Sequence, residues 1–363
     1  MAILLNNRLQ VTVFGQSHGK AIGVTICGLP SGINLDNSCI ESKLAARKAK
    51  QAAYSTTRIE DDKFEILAGV YQNKTTGEPL TAICYNKNVK SEDYQELAAY
   101  YRPSHADFTA EARYKGCADP RGGGHFSGRL TAPMVFAGAI AELALAKYGV
   151  KIYSHIKKIK DITDQDIAQA NQAELESIAK NQLPVIDTAI IPTLYKLFLQ
   201  YRQAQDSLGG VVETIIKNVR AGIGGTHAQS LESRLCSALF AIPAVKGVEF
   251  GLGFGYAEAS GKIANDQLAI KDGKVYTLSN NDGGIVGGIA NGEDIIFRTV
   301  FKSVASIAAT QQSVNKTTKE VGTIEIKGRH DVCIVPRTIP IVDSLVALTL
   351  LDAYLEAYGY DGF

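Results

Sequence analysis

Two segments of this chain are apolar almost all the way round a helical cylinder. One begins near residue 131, holds Met134, Val135, Phe136, Ile140, Leu143 and Leu145, has Pro133 in its first turn and meets a stop signal at Gly149. The other, at about 340–358, carries Val342, Leu345, Val346, Leu348, Leu350 and Leu351 and leaves little polar face. Helices of this kind need covering layers on most sides. Strand-like runs at 9–14, 22–27, 211–219, 245–250 and 323–326 can supply them. The pattern predicts an α+β fold, a layered sandwich whose strands cover the buried helices. No repeat of fixed period or low-complexity linker divides the chain, so residues 1–363 read as one domain. Ser38 with Glu41 predicts a capped helix running to about residue 53, with Lys43, Arg47 and Lys50 as a cationic stripe and Ile40 and Leu44 on the other side. Residues 156–208 read as an ordinary helical region without chemistry.

The formal charge of +1 gives no overall basic field, which argues against a nucleic-acid partner or an anionic membrane. Cys27, Cys39, Cys84, Cys117, Cys236 and Cys333 form no C-x-x-C pair and match no zinc spacing, so reduced thiols and no metal are expected. The first residues lack a secretory pattern, and no stretch of about 18 uninterrupted apolar residues occurs. A soluble cytoplasmic protein is the expectation.

Chemistry concentrates in four segments that combine glycine, histidine and cations. In Gly15-Gln16-Ser17-His18-Gly19 the glycines allow a tight turn that presents Ser17 and His18. In Arg102-Pro103-Ser104-His105-Ala106-Asp107, His105 has a cation and a carboxylate close in sequence, which suits proton transfer near neutral pH. The run from Arg121 through Gly122, Gly123, Gly124, His125, Phe126, Ser127 and Gly128 to Arg129 leads straight into the first buried helix. Its glycines let backbone N–H groups approach an anion, and arginines flank it: a phosphate or flavin cradle that is neither a P-loop nor a dinucleotide fingerprint. The fourth segment is Lys327-Gly328-Arg329-His330-Asp331, followed by Pro336-Arg337. A weaker Gly-rich segment spans 281–288. Several arginines with two histidines and few carboxylates fit a multiply anionic substrate handled by acid–base chemistry.

These segments resemble those of the chorismate synthase family, over the stretch from about Gly15 to the C-terminal helix. GQSHG, RGGGHFSGRLTA and KGRHDVCIVPR match its three motif regions, and RPSHAD, GGVVE and NNDGGIVGGIANG add to them. The resemblance implies a β-α-β sandwich with helices buried between sheets and a 1,4-anti elimination of phosphate from 5-enolpyruvylshikimate 3-phosphate, requiring reduced FMN without net redox change, in an enzyme that is usually a homotetramer. It implies catalytic roles for His18 (protonation of reduced flavin), His105 (protonation of the departing phosphate) and Asp331 (accepting the hydrogen the substrate loses). It places FMN at His125, Phe126, Ser127, Gly287, Lys302, Ser303, Val304, Ala305, Ser306 and Arg329, and substrate or nucleotide at Arg47, Arg129 and Arg337. A substrate with two carboxylates and a phosphate of about −1.5 to −2 requires such cations.

Some positions depart from the family pattern: Gln16 stands for a usual acid, Val332 for a common proline, and Ser303-Val304 for Pro-Thr. Ala53 replaces an arginine that the family associates with NADP, with Lys48 or Lys50 as possible substitutes. Ala53, together with the lack of an obvious dinucleotide loop, points to an enzyme that needs an external flavin reductase or reductant. A different FMN-dependent reductase would need a hydride-donor site, and no dinucleotide fingerprint is present. A phosphometabolite-binding protein would not need His18, His105 and Asp331 together.

Overall fold

The computed structural model describes residues 2–50, 52–56, 60–87, 99–119, 121–326 and 330–363. Two five-stranded antiparallel sheets enclose a layer of helices. The first sheet holds β1 (Ala2–Asn6), β2 (Gln10–Gly15), β3 (Ala21–Cys27), β4 (Glu65–Ala68) and β5 (Leu80–Tyr85), in the order β1-β2-β3-β5-β4. The second holds β6 (Lys151–Ile159), β7 (Ile162–Thr163), β8 (Gly210–Lys217), β9 (Val245–Phe250) and β10 (Ile295–Phe301), in the order β9-β10-β8-β6-β7. Alternation sets the inward faces. Val11 and Val13 of β2 are buried while Gln10 and Phe14 are exposed, and Ile295, Phe297, Thr299 and Phe301 of β10 are all buried.

The longer helices are α1 (Asn37–Arg47), α2 (Asp107–Tyr114), α3 (Thr131–Leu145), α4 (Ile191–Gln203), α5 (Leu231–Phe240) and α6 (Val335–Tyr358). α3 packs on β3 and β5 and against α6, which packs in turn on β6 and β8; α1 lies against α3 and α6, and α5 against α6 and β9. α6 is buried from Val335 to Leu355 except at Arg337. The segments 128–148 and 335–358 are long and apolar enough to cross a membrane, but both lie inside the protein. At Gly138 a Cβ would fall onto Ser344, so the missing side chain lets α3 and α6 approach closely. The α+β sandwich expected from the two apolar helices is the fold observed.

Four local expectations need correction. α1 ends at Arg47, not near residue 53, and its N-cap is Asp36, whose carboxylate accepts from the Ser38 and Cys39 amides. The cationic stripe therefore does not form: Lys50 lies beyond the helix, and Lys43 turns to Glu142 at 2.8 Å. The last helix starts at Val335, five residues before the expected 340, with a proline in its first turn. The stretch at 323–326 is no covering layer; Val321–Ile324 pairs with Gln311–Val314 in a separate hairpin. Finally, 156–208 is not uniformly helical, because β6 runs to Ile159.

On β6, the fully buried His155 bridges two carboxylates, with Nδ1 2.9 Å from Asp164 and Nε2 3.1 Å from Glu213. Asp164 also accepts the Ile186 and Asp187 amides, which ties the 162–190 segment to the sheet. Burial pushes the imidazole pKa down, but the bonds to Asp164 and Glu213 outweigh it and raise the value above the ordinary 6.5. A raised folded-state pKa contributes stability that is complete below about pH 6.5 and is lost as pH climbs through the folded value. His155→Gln is therefore expected to cost about 3 kcal/mol at pH 6. Urea unfolding across pH 6 to 9 should show the gap to wild type narrowing; a widening gap would reject the charged-histidine assignment.

Candidate active site

The glycine-rich cradle before α3 is stitched to the His18 turn between β2 and β3. The Ser17 amide donates to the Gly124 carbonyl at 3.1 Å, and His125 Nδ1 donates to the Gly15 carbonyl at 3.1 Å. Asn86, just past β5, donates its amide group to the Gln16 and Gly19 carbonyls at 3.0 and 2.9 Å, fixing both ends of that turn. His18 is buried, with Nδ1 3.1 Å from Ser17 Oγ. Gly122 has φ +68°, and a Cβ there would overlap the His18 ring. Only glycine lets the cradle lie on that imidazole.

The second histidine reaches the same loop from the other side. A Cβ on Gly123 would stand 3.5 Å from His105 Nε2. His105 Nδ1 lies 2.8 Å from Asp107, the first residue of α2, which leaves Nε2 toward the cradle. Arg102 forks onto the same carboxylate at 2.8 and 2.6 Å and donates to the Gly122 carbonyl at 3.0 Å. Burial raises the Asp107 pKa, but hydrogen bonds from Arg102 and His105 outweigh it and hold the carboxyl well below the usual range. Lys302, directly after β10, donates to the Ser104 carbonyl at 2.7 Å. The 302–306 loop therefore leaves the His105 turn, is tied down where Ser207 Oγ donates to the Val304 carbonyl at 2.8 Å, and reaches the Asp331 region at Ser306.

Asp331 accepts the Thr56 amide at 2.9 Å and both of its oxygens meet Arg337 Nη1, at 2.8 and 2.7 Å. A cleft of about 240 Å³ opens beside it, lined by Ser55, Thr56, Arg202, Ser306 and His330 among others. Burial pushes the His330 pKa below its ordinary value, with Arg102 acting in the same direction.

Arg47 and Arg129 are buried and share one counter-ion, Asp62. Arg47 Nη2 lies 2.5 Å from Asp62 Oδ2, and Arg129 Nη1 contacts Oδ1. Arg129 Nε also donates to Asn86 at 3.2 Å, and Arg47 Nη1 donates to Thr131 Oγ1 at 3.2 Å. Burial works to raise the Asp62 carboxyl, yet the two arginines hold it below the usual range. Arg337 Nε donates to the Arg47 carbonyl at 3.2 Å, which joins the arginine pair to the Asp331 cleft.

The structure thus gathers His18, His105, Asp331, the 125–127 cradle, Lys302 to Ser306, Arg47, Arg129 and Arg337. Gly287 stands apart within the chain. Its hairpin packs on the Gly224 and Leu231 segments, at the Ile295 end of β10, whereas Lys302 leaves the opposite end about 20 Å away by strand rise. Arg329 lies outside the described residues. Reasoning from sequence missed Asp62, Asn86, Thr56 and Arg202. Asp62 sits in an ordinary acidic run, Asn86 and Thr56 act through one amide each, and Arg202 comes from the region read as free of chemistry. Nothing in their local sequence marks them.

Fold and site define a protein whose two held histidines meet one glycine loop beside a set of buried, carboxylate-paired arginines. The description of the family model that matches residues 9–355 reads chorismate synthase. A chorismate synthase of Thermococcus kodakarensis is 41% identical over 354 residues, 98% of each chain, and one of Pyrococcus abyssi is 42% identical over 348 residues, 96% of each. A solved chorismate synthase crystal structure superposes with a TM-score of 0.75 at 27% identity, covering 97% of this chain and 93% of its own. The chain belongs to the chorismate synthase family.

The contact of Gly122 with His18 makes a direct test. Gly122→Ala adds a methyl where the His18 ring lies and strains a positive φ, so it is expected to lower turnover about 10²-fold through misplacement of the imidazole. Steady-state assays beside a melting curve check this; wild-type turnover would show that the contact is dispensable.

Proposed function

We propose that this site eliminates phosphate from 5-enolpyruvylshikimate 3-phosphate with reduced FMN held in the Arg121–Arg129 cradle. Membership in the family makes the chain a carbon–oxygen lyase that forms chorismate in the shikimate pathway. The observation that carries the mechanistic reading is the meeting of both histidines on one glycine loop, Gly122 against His18 and Gly123 beside His105. The residues suit a flavin mononucleotide. The loop backbone can pack against His18 at Gly122 and Asp119 at Gly124 only because neither carries a side chain, Phe126 offers an exposed ring, and Lys302, beside the His105 turn, offers a cation for a phosphate. Reduced FMN would supply an electron-rich ring that lends electron density to the substrate and recovers it.

In this reading the residues hold the ligands and move protons. Asp107 orients the His105 ring through Nδ1, so Nε2 faces the cradle and would give a proton to the departing phosphate. Ser17 holds His18, which would serve to protonate the reduced flavin. Asp331, fixed by Arg337 and the Thr56 amide, takes the hydrogen that leaves the substrate. Arg47, Arg129 and Arg337 counter the substrate's anions. The chain acts as one domain in the cytoplasm and assembles as a homotetramer. The exposed Phe254, Ile263, Leu268, Ile270 and Val275 supply an apolar face for further copies.

His105→Ala is expected to lower turnover about 10²–10⁴-fold with FMN binding unchanged, as loss of a general acid would. Anaerobic assays with reduced FMN, followed by chorismate absorbance, measure the rate; near-wild-type turnover would sink the assignment. The flavin must also be reduced from outside. Ala53 offers no guanidinium to a dinucleotide, and Lys50 lies off α1. Losing one such cation costs about 1.5–3 kcal/mol of binding. Protein given substrate, oxidised FMN and NADPH without a reductase should make no sustained chorismate. A rate near that with dithionite-reduced FMN would refute this.

A further inference from the structure

Two arginines from different elements, Arg47 at the end of α1 and Arg129 in the cradle, meet over a single carboxylate whose side chain is fully buried. We propose that Asp62 is a positioning residue for the substrate: it sets the spacing of the two guanidinium groups and, through Arg129 and Asn86, the turn that carries His18. This inference rests on the site reading given above. The connection is continuous. Asp62 Oδ1 takes Arg129 Nη1, Arg129 Nε donates to Asn86 Oδ1 at 3.2 Å, and the Asn86 amide group donates to the carbonyls of Gln16 and Gly19, on either side of Ser17 and His18. On the other oxygen, Arg47 is held against Thr131 at the start of α3, and its carbonyl takes Arg337, the partner of Asp331.

Three further features agree. Asp62 has φ +48°, a left-handed conformation that a non-glycine residue keeps only where its surroundings over-determine it. Arg47 Nε is buried with no hydrogen-bond partner among the described residues, a donor left for a ligand. Burial and the neighbouring arginines Arg337 and Arg129 all push the Arg47 pKa down, and Asp62 opposes them. A buried guanidinium pair without its carboxylate would separate and take water or other partners.

The proposal makes a prediction opposite in sign to simple charge counting. Asp62 is an anion in a site for an anionic substrate, so Coulomb attraction alone says that removing its charge improves binding. Positioning says that it weakens binding. Asp62→Asn is nearly isosteric and adds a net positive charge. The experiment titrates 5-enolpyruvylshikimate 3-phosphate calorimetrically into wild-type and variant protein saturated with oxidised FMN, and measures KM and kcat with reduced FMN. Asp62→Asn is expected to raise Kd and KM about 10–100-fold, the size of a lost charge-assisted contact. Asn86→Ala, which keeps both Asp62 ion pairs, is expected to lower kcat about tenfold with Kd near wild type, because only the His18 turn is released. Equal or tighter binding by Asp62→Asn overturns the proposal. So does a loss of kcat that tracks the folded fraction with KM unchanged. If Asp62→Asn does not fold, wild-type kcat in Asn86→Ala overturns it. Wild-type protein that fails to bind the substrate would instead overturn the site reading beneath it.

Discussion

The close approach of α3 and α6 at Gly138 and Ser344 is the constraint on which the rest of the molecule depends. A Cβ at Gly138 would coincide with Ser344, so these two apolar helices touch backbone to backbone in the middle of the protein. Each is then covered on its far side by a sheet. Both helices begin at the site. The cradle, Arg129 and Thr131 lead into α3, while Asp331 precedes α6 and Arg337 lies in its first turn. Anchoring the chemistry at the starts of two rigid, buried elements fixes groups that are about 200 residues apart in sequence, and it adds the partial positive charge of helix N-termini where anions are to be held.

Around those helix starts the cations come with their own carboxylates. Arg102 holds Asp107, Arg47 and Arg129 share Asp62, and Arg337 holds Asp331. A buried unpaired guanidinium would be costly, so pairing keeps the arginines in place before any ligand arrives. Pairing also divides the labour. Asp107 holds the His105 ring and Asp331 also accepts a backbone amide, whereas among the described residues Asp62 pairs with arginines alone. The positive field of the site is therefore shaped by geometry more than by total charge, consistent with a chain whose net charge is only +1.

Away from the site, buried polar groups hold the layers in register. Asp343 of α6 accepts Ser154 Oγ at 2.6 Å and lies 3.8 Å from Lys43 of α1, and burial pushes its carboxyl up to about 6. Ser154 in turn bonds Thr214 across β6 and β8. This network ties the helical layer to the second sheet, as His155 with Asp164 and Glu213 ties the 162–190 segment to that sheet's strands. Both are satisfied largely by partners distant in sequence, so they reward one arrangement of the layers over others.

Sequence alone determined the fold class, because two helices without a polar face admit few solutions, and it marked the glycine and histidine segments, because turns with such residues are local chemical signals. It also carried the family, through motifs that run nearly the whole chain. It misplaced both ends of α1 and the start of α6, where the Asp36 cap opens the one and a first-turn proline the other. Only the tertiary structure decided which charges pair. Asp62, Asn86 and Thr56 look ordinary in their own segments and gain their roles from partners 15 to 275 residues away. Local patterning reports burial and turns, since those depend on neighbours a few positions apart. A shared counter-ion or a carboxylate held by a backbone amide depends on where separate elements end in space, and that is fixed only when the sheets close over the helices.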